Sequence, residues 1–431
     1  MTETPRDILR SLFDAMVEAA HPGTCLVPHL PDPPKGRIIV LAGGKAAGSM
    51  AAAAEAHYLD TLGVSPGQLE GIAVTRYGYG RPTRRIRVIE AGHPVPDAAG
   101  IAATEETLSL AGSAGPDDLV LVLLSGGGSA LWIAPVDGVT LKAKQQLTRD
   151  LLACGARIGE INTVRRHLSR IKGGRLAAAA YPADVLTLAI SDVPGDHPSV
   201  IASGPTVADP TGLADARAIL RKYALEPSPE IAVALDAEGN ETPKPGDERL
   251  RSARYVLVAT PSSALASVKA TARDHGFEVE YLGDDLEDDA RDLAGDHAER
   301  ARTAADEGRR VVILSGGEAV VQMRGRGRGG PNQEFALALA LAVQGRPGIW
   351  GLAADTDGTD GGGGSADDPA GAFVAPDTLS RAAELGLDAD AFLEDNDSTS
   401  FFERIGDLLV VGPTFTNVND FRAVIVDTSV S

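Results

Sequence analysis

Apolar runs in this 431-residue chain end abruptly in glycine. Arg37–Ala42 gives way to Gly43-Gly44-Lys45, and Leu119–Leu124 to Ser125-Gly126-Gly127-Gly128-Ser129. An α/β protein turns from buried strand to ligand-binding loop in this way, at the carboxyl edge of its sheet. Further β-rich runs stand at Gly71–Arg76, Ile86–Glu90, Val185–Ile190, Tyr255–Thr260, Val311–Leu314, Ile349–Ala354 and Phe421–Val426, most of them separated by alanine- and leucine-rich helical stretches. The pattern predicts α/β layers around largely parallel sheet. Between about Leu225 and Arg251 the strings EPSPE and AEGNETPKPGDERL are polar, contain proline and are poor in apolar periodicity. They divide an expected N-terminal domain, 1–235, from a C-terminal one, 251–431.

Composition narrows the function. The 60 acidic against 40 basic side chains leave a net charge of −20, which repels nucleic acid and anionic membrane surfaces, so an anionic ligand must meet a local basic pocket. The longest strongly apolar run, Leu119–Leu124, is far too short to cross a bilayer, and the N-terminus lacks a signal peptide's apolar segment. Cys25 and Cys154 form no CxxC pair, which supports neither a disulfide framework nor a cysteine-zinc site. A cytoplasmic protein acting on small molecules is expected, as a monomer or a homodimer.

In the first glycine turn, Lys45 stands beside a helix start whose amides lack partners. The spacing is GGxxxG, not the dinucleotide fingerprint GxGxxG, and Walker A is absent. The turn is either structural or an anion site with Lys45 as its charge. In the second, the Gly126–Gly128 backbone is able to wrap phosphate oxygens, again with a plain turn as the alternative. A nucleophilic Ser129 is disfavoured, because Leu131 stands where the GxSxG elbow needs its last glycine.

One stretch is strongly basic: Arg165, Arg166, Arg170, Lys172 and Arg175 fall within eleven residues. If the helix continues to Gly173-Gly174, Arg165 and Lys172 lie within about 20° of one face and grip one anion together. The alternative is a solvated cationic face. Asp192 follows the run ending at Ile190 and is expected to be a general base or metal ligand, whereas Asp196 is as readily a turn residue and His197 a hydrogen-bonded loop residue. Asp355, Asp357 and Asp360 follow Ile349–Ala354 on glycine-rich backbone. An EF-hand is rejected, since Thr359 and Ala366 occupy ligand positions, but these carboxylates suit Mg²⁺ on a nucleotide phosphate. Arg326 and Arg328 lie in the glycine-rich segment 325–334, which also carries Asn332 and Glu334, and all four are candidate phosphate- or substrate-binding residues.

Nine strings in order resemble the class II glycerate kinases, the glycerate 2-kinases with a MOFRL domain, an older label for which is hydroxypyruvate reductase. They are GGKAAGSMA, AGHPVPD, LLSGGGSAL, INTVRRHLSRIKGGRLA, ISDVPGDHPSVIASGPT, LSGGEAVV, GRGGPNQE, AADTDGTDG and GPTFTNVNDFRAVIV. The resemblance implies a Rossmann-like N-terminal domain and a smaller C-terminal α/β domain with the active site in the cleft between them. It further implies ATP-dependent phosphorylation of D-glycerate to 2-phosphoglycerate with Mg²⁺. By motif, Lys45 is the catalytic lysine and Ser125–Ala130 the phosphate-binding turn. Arg165 and Lys172 would hold the glycerate carboxylate, Asp192 the hydroxyl proton, and Asp355, Asp357 or Asp360 the metal. The family pattern has an arginine where this chain has Pro331, so that either Arg326 or Arg328 supplies the charge or none is required. Hydroxypyruvate reduction with NAD(P)H is the rival reading, and the dinucleotide fingerprint it needs is missing.

Overall fold

A computed structural model describes residues 3–362, 365 and 367–429; Gly363, Gly364 and Ala366 of the glycine-rich loop lie outside them. The chain divides into two units: residues 26–258, and the described parts of 1–25 with 259–429.

The first unit is built on six strands, β1 (Ile38–Gly43), β2 (Leu69–Arg76), β3 (Ile86–Ala91), β4 (Leu119–Leu124), β5 (Asp184–Ile190) and β6 (Ala253–Ala259), in the order β3-β2-β1-β4-β5-β6. This is the Rossmann strand order. The pairs β3–β2, β2–β1, β1–β4 and β4–β5 are parallel. Both faces of β1 and β4 are buried along their whole length, which explains why these strands read as unbroken aliphatic runs without alternation. The order reverses between β1 and β4, and the two expected glycine turns leave the sheet at that switch point.

In the second unit β7 (Glu278–Leu286), β8 (Val311–Gly317), β9 (Ile349–Asp355), β10 (Gly371–Val374), β11 (Leu408–Leu409) and β12 (Asp420–Val426) are ordered β11-β10-β9-β12-β8-β7. Only β7–β8 is parallel; β12 runs antiparallel to β8 and β9, as does β10 to β9 and β11. The expectation of largely parallel sheet therefore fails in this unit.

The units also differ from the expected domains. Residues 251–258 belong to the first unit, because β6 adds to its sheet and lays Tyr255 and Leu257 on its core. The polar segment before it is no free linker: Glu241 accepts from His167 at 3.0 Å and Thr242 donates to Asp209 at 3.2 Å. At the other end, the helix Pro5–Ala20 belongs to the second unit. It buries Leu9, Leu12, Phe13 and Met16, and Phe13 meets Phe421 of β12 edge-to-face at 5.8 Å.

Candidate active site

The switch point of the first sheet is stitched from backbone. Ser125 N–H donates to Gly43 O at 3.2 Å, and Lys45 N–H donates to Gly126 O at 2.7 Å. Ala46 N–H donates to Ser125 Oγ at 2.9 Å, so Ser125 fixes the turn with its side chain. Gly44 has φ +137°, and a Cβ there would stand 2.2 Å from Ser125 Oγ. Gly127 has φ +79°, and its missing Cβ leaves room for His93 Nε2 at 2.8 Å and Lys45 Cγ at 3.3 Å. Glycine is thus required so that a lysine and a histidine can lie against the turn. Ser129 Oγ pairs with Ser203 Oγ at 2.8 Å, and this hydroxyl pair is not a nucleophile–base arrangement.

The basic segment is organised differently from its expected helix. The helix Ile158–His167 stops before Lys172, which sits in the turn leading to the helix Arg175–Ala180. The shared helical face is therefore wrong, yet Arg165 and Lys172 are still neighbours. Lys172, completely buried, donates to Ser129 O at 2.8 Å and so braces the helix that grows from the glycine turn, Gly128–Leu131. Arg166 pairs with Asp209 at 3.1 Å and Arg170 with Glu105, whereas Arg165 and Lys172 have no carboxylate partner among the described residues.

A third cation, unsuspected from the sequence, joins them. Lys144 lies on the helix Leu141–Ala153, buried, and donates to Leu168 O at 2.8 Å. Burial lowers the pKa of Lys144 well below the ordinary lysine range, and Arg165 and Arg175 lower it further; burial, Arg165 and Lys144 do the same to Lys172. Cations crowded together without counter-charge are an anion site in waiting. The available signal was spacing: Lys144, Leu147 and Leu151 form the buried face of that helix, so a lysine stands where a hydrophobe belongs. Asp192 lies half-buried two residues beyond the end of β5, at the carboxyl edge of the same sheet.

The second unit employs most of its candidates structurally. Asp360 caps the helix Pro331–Val343: Oδ1 accepts from Asn332 N–H at 3.0 Å and Oδ2 from Gln333 N–H at 2.8 Å, while the side-chain amides of both residues donate to it as well. With both oxygens so engaged, Asp360 does not fit a metal ligand. Burial pushes its pKa up to about 7 against those amides, which pull it down. Asn332 also donates to Asp420 at 2.6 Å, and Glu334 forms a buried ion pair with Arg291 at 2.8 Å. Arg328 pairs with Glu403 at 2.7 Å on the surface, and Arg326 is exposed. Pro331 takes the first helical position, where its missing N–H costs nothing. Asp355 accepts from Asp357 N–H at 2.8 Å, and buried Asp357 accepts from Thr359 at 2.9 Å. No three His, Cys, Asp or Glu side chains group as a metal cage among the described residues. Mg²⁺ needs only one or two carboxylates when phosphates complete its shell, and Asp355 and Asp357 fit that role.

Two family models match: a domain of unknown function, DUF4147, over residues 8–236, and the MOFRL family over residues 311–420. A D-glycerate 2-kinase of Thermotoga maritima is 39% identical over 97% of each chain. A glycerate 2-kinase of Pyrococcus horikoshii is 40% identical over 91% of this chain and 88% of its own. A solved glycerate kinase structure from Thermotoga maritima superposes with a TM-score of 0.87 at 37% identity, over 98% of this chain and 99% of that one. The chain belongs to the class II glycerate kinases. An Agrobacterium vitis protein, 50% identical over 98% of this chain and 94% of its own, carries the name putative hydroxypyruvate reductase. The first glycine turn is spaced GGxxxG, which does not match the dinucleotide fingerprint GxGxxG. At the carboxyl end of β2 stands Arg76, buried with its guanidinium 3.7 Å from the centre of the Tyr79 ring.

Proposed function

We propose that this chain transfers the terminal phosphate of ATP to the 2-hydroxyl of D-glycerate. The observation that carries the reading is the switch-point turn, where Lys45 stands over glycine backbone beside cations that have no carboxylate. Phosphoryl transfer needs little covalent chemistry from a protein; it needs charge neutralisation and alignment. In this reading Lys45 meets the transferring phosphate, and the amides of Gly126 and Gly127 bind its oxygens, while Gly128 N–H donates to Ser125 O at 3.3 Å. Arg165 adds positive charge, and Lys172 holds the turn through Ser129. Asp192 accepts the proton that leaves the glycerate hydroxyl as its oxygen attacks phosphorus. Asp355 and Asp357 would hold Mg²⁺, whose chemistry when bound is neutralisation of phosphate charge.

Purified protein incubated with ATP, Mg²⁺ and D-glycerate should release ADP and form 2-phosphoglycerate, resolved from the 3-isomer by chromatography. ADP release no greater than in a glycerate-free blank defeats the proposal. Oxidation of NADPH by hydroxypyruvate in the same preparation would favour the rival reading instead.

A further inference from the structure

A cavity of about 380 Å³ opens beside the glycine turn, and a three-carbon acid would fill only a small part of it. Its walls are zoned. Val95 and Leu152, 68% and 60% exposed, stand at its mouth with Ile133 behind them, and such large apolar side chains in solvent favour a flat apolar partner. Lys144 and Arg165 form its inner end and Arg149 its rim, and no carboxylate lines it. In a chain of net charge −20 that concentration of cations is selective for an anion. One end of the cavity continues into the turn: Ala130 in its wall belongs to the helix that grows from Gly128, and Pro94 follows the His93 that lies against Gly127.

We infer that this cavity seats the nucleoside triphosphate, its base and ribose between Val95 and Leu152 and its phosphates on Lys144 and Arg165, pointing along the turn toward Lys45. The inference rests on the kinase reading and deepens it. It removes Arg165 from the glycerate carboxylate, makes Lys144 a binding residue, and places both cations where a phosphate chain supplies the missing counter-charge.

Two measurements on the full-length protein test it. Irradiation with 8-azido-ATP should label peptides from residues 93–96 or 141–152, and excess ATP should suppress the labelling. Leu152→Glu and Arg149→Glu, both changes of solvent-facing side chains, should each raise the KM for ATP about tenfold or more through like-charge repulsion, with the KM for D-glycerate within twofold of wild type. Labelling elsewhere, or an unchanged KM for ATP, overturns the inference. A rise in the KM for D-glycerate alone does so too and gives the cavity to the acid. Because the photolabel reads binding without turnover, a protein that labels in the cavity but releases no ADP would sink the kinase reading and leave the nucleotide seat standing.

Discussion

At the scale of single residues, the site is a set of conflicts tolerated for the sake of charge. Lys45 N–H donates to Gly126 O, a backbone bond that remains when the side chain is removed. Lys45→Ala is expected to lower turnover roughly 10²–10³-fold, the range for deleting one transition-state charge, with unchanged circular dichroism. Turnover equal to wild type would take Lys45 out of the site. Gly127→Ala tests the turn itself: the left-handed φ costs about 1–2 kcal/mol, and the new methyl meets His93 and Lys45. Expression and melting temperature should fall slightly, while activity should fall far more because the lysine is displaced. Lys45 and the glycines were legible in the sequence because a strand, a glycine and a charge are consecutive along the chain. Lys144 was not, because its cluster draws on three separate helices and turns that only folding brings together.

At the scale of elements, aliphatic runs predicted buried strands well and their direction poorly. β8 and β12 are buried on both faces, as parallel strands are, although they pair antiparallel, so composition carried no trace of orientation. β7 was missed because it is a sheet-edge strand, largely half-exposed, whose EVEYLGDDL keeps acidic residues toward solvent. β10 and β11, of four and two residues, are too short to show periodicity. The acidic loop was legible as residues but not as role, since nothing local reveals that Asp360 caps a helix beginning 29 residues earlier in the chain. That cap has a measurable consequence. Its folded pKa of about 7 exceeds the unfolded value of 3.8, so between these pH values the folded state keeps a proton that the unfolded state has lost. Stability from this group therefore declines as pH rises from about 4 to 7. Urea midpoints measured across that window should fall more steeply for wild type than for Asp360→Asn, and parallel slopes would refute the assignment.

At the scale of the whole molecule, the division into units is discontinuous along the chain, and the polar segment that looked like a boundary instead leads into β6 of the first sheet. The helix Pro5–Ala20 packs against the helix Pro261–Asp274 and strands β9 and β12, and Thr416 donates to Ala20 O at 2.7 Å. Burial of Leu9, Leu12, Phe13 and Met16 contributes on the order of 1.5–3 kcal/mol each, a large share of a domain's net stability. Deleting residues 1–25 should therefore destabilise the second unit rather than the first. Limited proteolysis followed by mass spectrometry should show cleavage beginning within 259–429 while 26–258 resists; early cleavage within 26–258 would contradict the division.

The same helix sets an order of events during synthesis. It leaves the ribosome before the Rossmann unit, yet β12, against which Phe13 rests, emerges after that unit. The intervening Rossmann unit has every strand it needs before then and is free to fold as translation proceeds. Throughout that interval the helix carries an unclaimed oily stripe, a binding platform for chaperones and a hazard for neighbouring nascent chains, until β12 arrives to cover it.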